Sequence, residues 1–204
     1  MRRSVMLDPK AEAAPDYRPA LVICAYDADE AGWDPVEDLS GEPWNPTGAR
    51  TLAVAGGEPE ALASVLSAHL DDRRCRGLLL VGRTRHSDAF RLQIRAENRS
   101  LDGGRRLDSL GPGLARATAP VADIVRALNK AGLAASASSD SEDDAGSYLL
   151  YRILSSLPDG PDTPAIGLLR APEHEPDAAV QRAVKTAAQA MASHLSPLPR
   201  SRAN

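Results

Sequence analysis

Cysteine is scarce in this sequence: only Cys24 and Cys75 occur among 204 residues, which excludes a disulfide framework as the basis of the fold. Cys24 follows the apolar run Leu21-Val22-Ile23, where a reduced thiol behaves as a small hydrophobe. Positive charge is not in excess either. A formal net charge of -4 and a pI near 5.6 disfavour binding to nucleic acid or to anionic membranes. No stretch reaches the roughly 18 apolar residues of a membrane span, and Met1-Arg2-Arg3-Ser4 leads into Asp8, Lys10 and Glu12 rather than an apolar leader core. The reading is a cytoplasmic protein with neither a nucleic-acid nor a membrane partner. Histidine is limited to His69, His86, His174 and His194. A Walker loop, a Gly-x-Gly-x-x-Gly after a strand, and Cys or His pairs at zinc spacing are all missing, so no cofactor and no metal are expected.

What is present is enough chain for one sizeable core. Residues 1–18 and 195–204 mix Pro, Ala and charge without periodicity and read as loosely held ends around one domain, 19–194. Gly103-Gly104 reads as a turn and Asp27 to Asn45 as a long loop. Ala20 to Ala25 and Gly77 to Gly82 are continuous apolar runs, expected of strands buried on both faces, and Thr51 to Ala55 is a further short strand. Phe90 to Ala96 alternates with a period of two, which predicts one strand with a wet face. Ala134 to Ser138 and Ala165 to Leu169 complete the strands.

Between the strands lie four helical patterns. Pro59 opens the first, with Leu62, Val65, Leu66 and Leu70 predicted on its buried face, and Pro120 opens the second, which ends at Gly132. Asp144 to Leu154 and Pro176 to His194 are the others. Strands and helices alternate, which predicts a single three-layer α/β/α domain with a mostly parallel, mixed sheet of the phosphorylase/hydrolase-like kind.

Several segments, in order along the chain, carry a resemblance. Gly111-Pro112-Gly113 is followed by Ala117-Thr118-Ala119-Pro120-Val121 and Ala131-Gly132, and then by Asp144-Ala145-Gly146-Ser147-Tyr148-Leu149. Upstream stand Ile23-Cys24-Ala25-Tyr26, Asn45-Pro46-Thr47, and Val81-Gly82 through Asn98; downstream stands Gly167-Leu168-Leu169-Arg170-Ala171-Pro172. From about Ala20 to Met191 the chain resembles pyroglutamyl peptidase type I, the pyrrolidone-carboxylate peptidases. The resemblance implies a cysteine-type omega peptidase, in which a thiolate attacks the amide after an N-terminal pyroglutamate, a histidine removes the thiol proton and a glutamate orients the imidazole. It also implies self-association into a homo-oligomer.

At those positions this chain has Gln93 for the glutamate, Arg170 for the histidine, and Leu150 for the cysteine, or Gly146 if the insertion around Ser139 to Asp143 is not made. An amide carries no charge to stabilise an imidazolium, and a guanidinium cannot act as a base near neutrality. The expectation is a pseudoenzyme with no catalytic residues. The loop whose aromatics hold the lactam in the family reads Ala25-Tyr26-Asp27-Ala28-Asp29 here, leaving Tyr26 to offer a ring face.

Other residues keep further readings open. Ser138, Ser139, Ser141 and Ser147 lie near the start of the helix that carries the family's nucleophile, so a relocated nucleophile such as Ser147, with His86 or His174 as base, would give an active hydrolase. Arg83, Arg85, His86, Arg91, Arg95 and Arg99 concentrate guanidinium in one stretch. With Tyr26, the residues Arg83, Arg85 and His86 are candidates to bind a small anionic or peptide ligand. The alternative for the arginines is a solvated strand face paired with the acidic run Asp140, Glu142, Asp143 and Asp144. That run itself reads as a charged helix start rather than a metal site. The functional expectation is a binding protein for such a ligand or for a protein partner; the remaining alternative is an assembly subunit with a vestigial cleft.

Overall fold

A computed structural model describes residues 16–27, 44–102, 105–158, 160 and 162–195. The predicted turn at Gly103-Gly104, most of the long loop, and most of both terminal segments therefore lie outside the described residues. The strands are β1 (Ala20–Ala25), β2 (Arg50–Val54), β3 (Cys75–Thr84), β4 (Phe90–Gln93), β5 (Arg95–Glu97), β6 (Leu114–Arg116), β7 (Ala135–Ser138) and β8 (Ala165–Pro172). The helices are α1 (Pro59–Asp71), α2 (Val121–Lys130), α3 (Ala145–Ser156) and α4 (Asp177–Ala192). Six strands form one sheet in the order β2-β1-β3-β8-β4-β7. Pairing is parallel throughout except between β8 and β4, so the sheet is mixed and mostly parallel as the alternation of elements implies.

The two faces of this sheet bury separate apolar clusters. On one, Val22, Cys24, Leu78, Leu80 and Leu168 meet Leu62 and Leu66 of α1 and Leu149, Leu150 and Ile153 of α3. On the other, Leu21, Ile23, Leu79, Val81 and Leu169 meet Ile124 and Leu128 of α2 and Val180, Val184 and Met191 of α4. Because successive strand residues point to opposite faces, a central strand covered on both sides must be apolar at every position. That is why β1 and β3 read as unbroken hydrophobic runs.

Two local expectations differ. The buried face of α1 is Leu62, Ala63 and Leu66, and Val65 stands on its edge, 48 % exposed. The segment Phe90 to Ala96 is not one strand: β4 ends at Gln93 and the chain crosses to a separate antiparallel ribbon of β5 and β6. At the crossing the Ile94 amide donates to the Ser138 carbonyl, and the Ile94 carbonyl accepts from Ala117. Within β4 the alternation holds: Gln93 lies on the face opposite Leu92 and is buried because α3 covers that face, while the break leaves Ile94 exposed. Period-two reasoning assigns faces only while the strand continues.

Candidate functional site

The carboxyl ends of β1, β3 and β8 meet the start of α3, the place where sheets of this kind hold ligands. Asp144 caps α3, its Oδ1 accepting from the Ser147 amide at 2.9 Å, in favourable interaction with the positive end of the helix dipole. One turn of helix thus brings Asp144 and Ser147 to the same side. Arg170 enters from β8, and Gln93 from β4, whose antiparallel pairing with β8 sets Gln93 opposite Leu168 and Arg91 opposite Arg170.

Arg170 is the largest fully buried side chain among the described residues, 1 % exposed. Its Nε donates to Gln93 Oε1 at 2.9 Å; Nη1 donates to Asp144 Oδ2 at 2.6 Å and to the Tyr26 hydroxyl at 3.2 Å; Nη2 donates to Asp144 Oδ1 at 2.7 Å and to Ser147 Oγ at 3.0 Å. A guanidinium has five N–H groups, and each has an acceptor here. Glu142 adds charge at 3.4 Å. Burial alone would weaken the guanidinium's hold on its proton, yet the Asp144 hydrogen bonds and the neighbouring negative groups raise its pKa further above the ordinary arginine value. Burial likewise raises the Asp144 pKa, and the hydrogen bonds and charge of Arg170 more than offset it, so the carboxyl ends below its usual value.

Gln93 is held from both ends of its amide. Oε1 accepts from Arg170, while Nε2 donates to the Arg95 carbonyl at 2.8 Å and to Ser147 Oγ at 3.1 Å. A glutamate there could make neither donation. Ser147 Oγ therefore accepts from two N–H groups, which occupies both of its lone pairs. As a donor, Ser147 Oγ lies 3.4 Å from Gln93 Oε1, and no imidazole is among its partners.

The Tyr26 ring fills the remaining space. It lies where side chains at Gly82 and Gly146 would be: a Cβ at Gly82 would sit 2.0 Å, and one at Gly146 2.3 Å, from the Tyr26 hydroxyl oxygen. Both glycines are required by this close approach. Burial pushes the Tyr26 phenol well above its ordinary pKa. The cavity left beside Ser147, bordered by Glu97, Glu142 and Tyr148, has a volume of about 30 Å³, close to the share of one water in the liquid.

Of the positions matching the family's triad, the structure joins Gln93 and Arg170. Leu150 lies one turn beyond Gly146 and packs into the apolar cluster around Leu80 and Leu168. The side chain that meets Gln93 and Arg170 is Ser147. Arg83 instead spans the Pro172 and Glu175 carbonyls and Asp177, and Arg85 pairs with Glu173. The His86 amide donates to Thr84 Oγ1. Arg91 pairs with Asp140 and Glu142, and Arg99 with Glu97 and Asp143. Within the arginine-rich stretch the acidic loop thus neutralises Arg91 and Arg99, while Arg83 and Arg85 are neutralised by Asp177 and Glu173. His194 pairs with Asp123 at 2.8 Å, away from the site. Cys24 is buried in the core, which raises its thiol pKa to about 12, and the Cys75 sulfur faces the Gly77 carbonyl.

Asp144 as the counter-ion of Arg170 is not visible in the sequence beyond a helix-start reading. The available signal was the pairing rule: an arginine in the apolar run Gly167 to Ala171 requires a carboxylate.

No protein-family model and no curated protein matches the sequence. Solved structures do. Pyrrolidone carboxyl peptidase from Thermus thermophilus is 20% identical with a TM-score of 0.67, covering 83% of this chain and 98% of that one. Pyroglutamyl peptidase I from Bacillus amyloliquefaciens is 17% identical with a TM-score of 0.69, covering 87% and 96%. The enzyme from Thermococcus litoralis, at 13% identity and a TM-score of 0.65, covers 87% and 94%. This chain has the pyroglutamyl peptidase fold. Those structures are matched over almost their whole length, so the pyroglutamyl peptidase fold is complete within the single domain, and the resemblance drawn from short segments extends to its architecture.

Proposed function

We propose that this protein is a non-catalytic relative of the pyroglutamyl peptidases that acts by binding a small anionic or peptide ligand or a protein partner. The observation that supports this reading is Arg170: in the position that the resemblance gives to the histidine base stands a permanently charged group, sealed by Gln93, Asp144, Tyr26 and Ser147. Hydrolysis by the family's route needs a nucleophile with a free lone pair and a base to take its proton. Ser147 has two N–H groups directed at its oxygen, and Asp144, whose basicity Arg170 reduces, is a poor acceptor for the serine proton.

A second reading, an active hydrolase using Ser147, draws on the position of that hydroxyl at a helix start beside Gln93 and Arg170. The test is turnover of a pyroglutamyl amide by purified protein, alongside Ser147→Ala. No release of the amine from either protein is the expected result. Turnover that disappears in Ser147→Ala would replace the first reading with the second.

A further inference from the structure

At the opposite end of the sheet four arginines surround a cleft of about 1050 Å³. The topology gathers them. Arg50 opens β2, Arg74 immediately precedes β3, Arg76 is its second residue, and β1 lies between the two strands, with Ala20 paired to both Arg50 and Cys75. Arg73 lies in the turn between α1 and β3. Among the described residues, no carboxylate lies within salt-bridge distance of the Arg50, Arg73 or Arg74 guanidinium. Arg76 reaches Asp162 through Nη1, but its Nε is buried with no hydrogen-bond partner, whereas buried polar groups ordinarily find one.

The negative groups nearby are largely committed. Asp16 is chelated by Arg18, whose hydrogen bonds lower its pKa to about 2. Asp162 is held by Arg76, and the Asp72 carboxylate accepts from the Arg74 amide. Asp71 is the exposed exception. The carboxyl ends of α1 and α3 face the same cleft and favour cations there, but they satisfy none of the free guanidinium N–H groups. Tyr17, about half exposed, and Leu157 supply an apolar wall.

We propose that this cleft binds a phosphorylated small molecule carrying at least two phosphate groups beside an apolar or aromatic body. Guanidinium forks match phosphate oxygens in pairs, and three arginines at the rim with no carboxylate partner among the described residues exceed what one phosphate can use. The size of the cleft suits a ligand larger than an inorganic anion. This site is independent of the one around Arg170.

Calorimetric titration of the full chain with sulfate, pyrophosphate and ADP tests the proposal. Pyrophosphate is expected to bind roughly tenfold more tightly than sulfate, and ADP more tightly still through its base. Arg73→Ala/Arg74→Ala and, separately, Arg50→Gln should each weaken pyrophosphate roughly tenfold, with circular dichroism verifying the fold. Arg126→Ala, on the exposed face of α2 and outside the cleft, should leave it unchanged. Equal affinity for sulfate and pyrophosphate, ADP binding no more tightly than pyrophosphate, or undiminished binding by the folded Arg73→Ala/Arg74→Ala protein would overturn it.

Discussion

At the carboxyl end of β8, Arg170 is buried with an acceptor on every N–H, while at the amino ends of β2 and β3 the guanidinium groups of Arg50, Arg73 and Arg74 meet no carboxylate among the described residues. The same residue type is structural at one end of the sheet and available at the other. What separates them is solvent. A charge taken out of water must be compensated within the protein, whereas an exposed guanidinium is hydrated and leaves its donors free for a ligand.

This contrast can be broken from either side. The largest effect is expected from Asp144→Ala, which strands the Arg170 charge: a loss of about 3 kcal/mol, at the low end for a broken buried pair because water partly reaches Asp144, or roughly 10 °C in Tm. Removing both charges with Asp144→Leu/Arg170→Met should recover part of that loss, and urea denaturation of the single and double variants measures it. Next comes Gly146→Ala, whose Cβ meets the Tyr26 ring; about 1–3 kcal/mol should be lost. In a Tyr26→Ala background the same substitution should cost much less, a non-additivity that a double-mutant cycle reads directly.

A third effect depends on pH. The Asp144 pKa is lowered on folding, so its stabilisation is complete above the usual aspartate value of 3.8 and is lost as pH falls through the folded value. The stability gap between the wild type and Asp144→Asn should therefore be constant from pH 5 to 7, on the scale of the usual titration range, and narrow below about pH 4. A gap that does not change with acid would remove the ion pair from the explanation. The smallest effect belongs to the other end of the sheet: Arg73→Ala/Arg74→Ala should alter stability by no more than about 0.5 kcal/mol. A larger loss would mean that these arginines are structural after all.

The architecture was largely legible in the sequence because burial on both faces forces continuous apolar strands, and helices covered on one face repeat every three to four residues. Failures fall where an element ends. The phase of Phe90 to Ala96 predicts a wet Gln93, but α3 covers that face, and the crossing at Ile94, fixed by Ser138 and Ala117 from distant segments, turns Ile94 outward. Val65 misses the core for a related reason, since a helical stripe is wider than the contact that its neighbours offer. In the site, the replacements Gln93 and Arg170 are readable by resemblance, but the choice between Gly146 and Leu150 is not, and the side chain that meets the pair is Ser147.

By itself the sequence determined the alternation of strands and helices, the lack of a thiol–imidazole pair in the matching segments, and the clustering of arginine between Arg83 and Arg99. Tertiary structure alone decided which charges are spent. The acidic partners of Arg170 and Arg83, Asp144 and Asp177, lie 26 and 94 positions away, and sheet order brings Arg50 beside Arg74 across β1. Hydrophobic periodicity is a local property of the chain, whereas the pairing of charges depends on which distant groups share a region shielded from water.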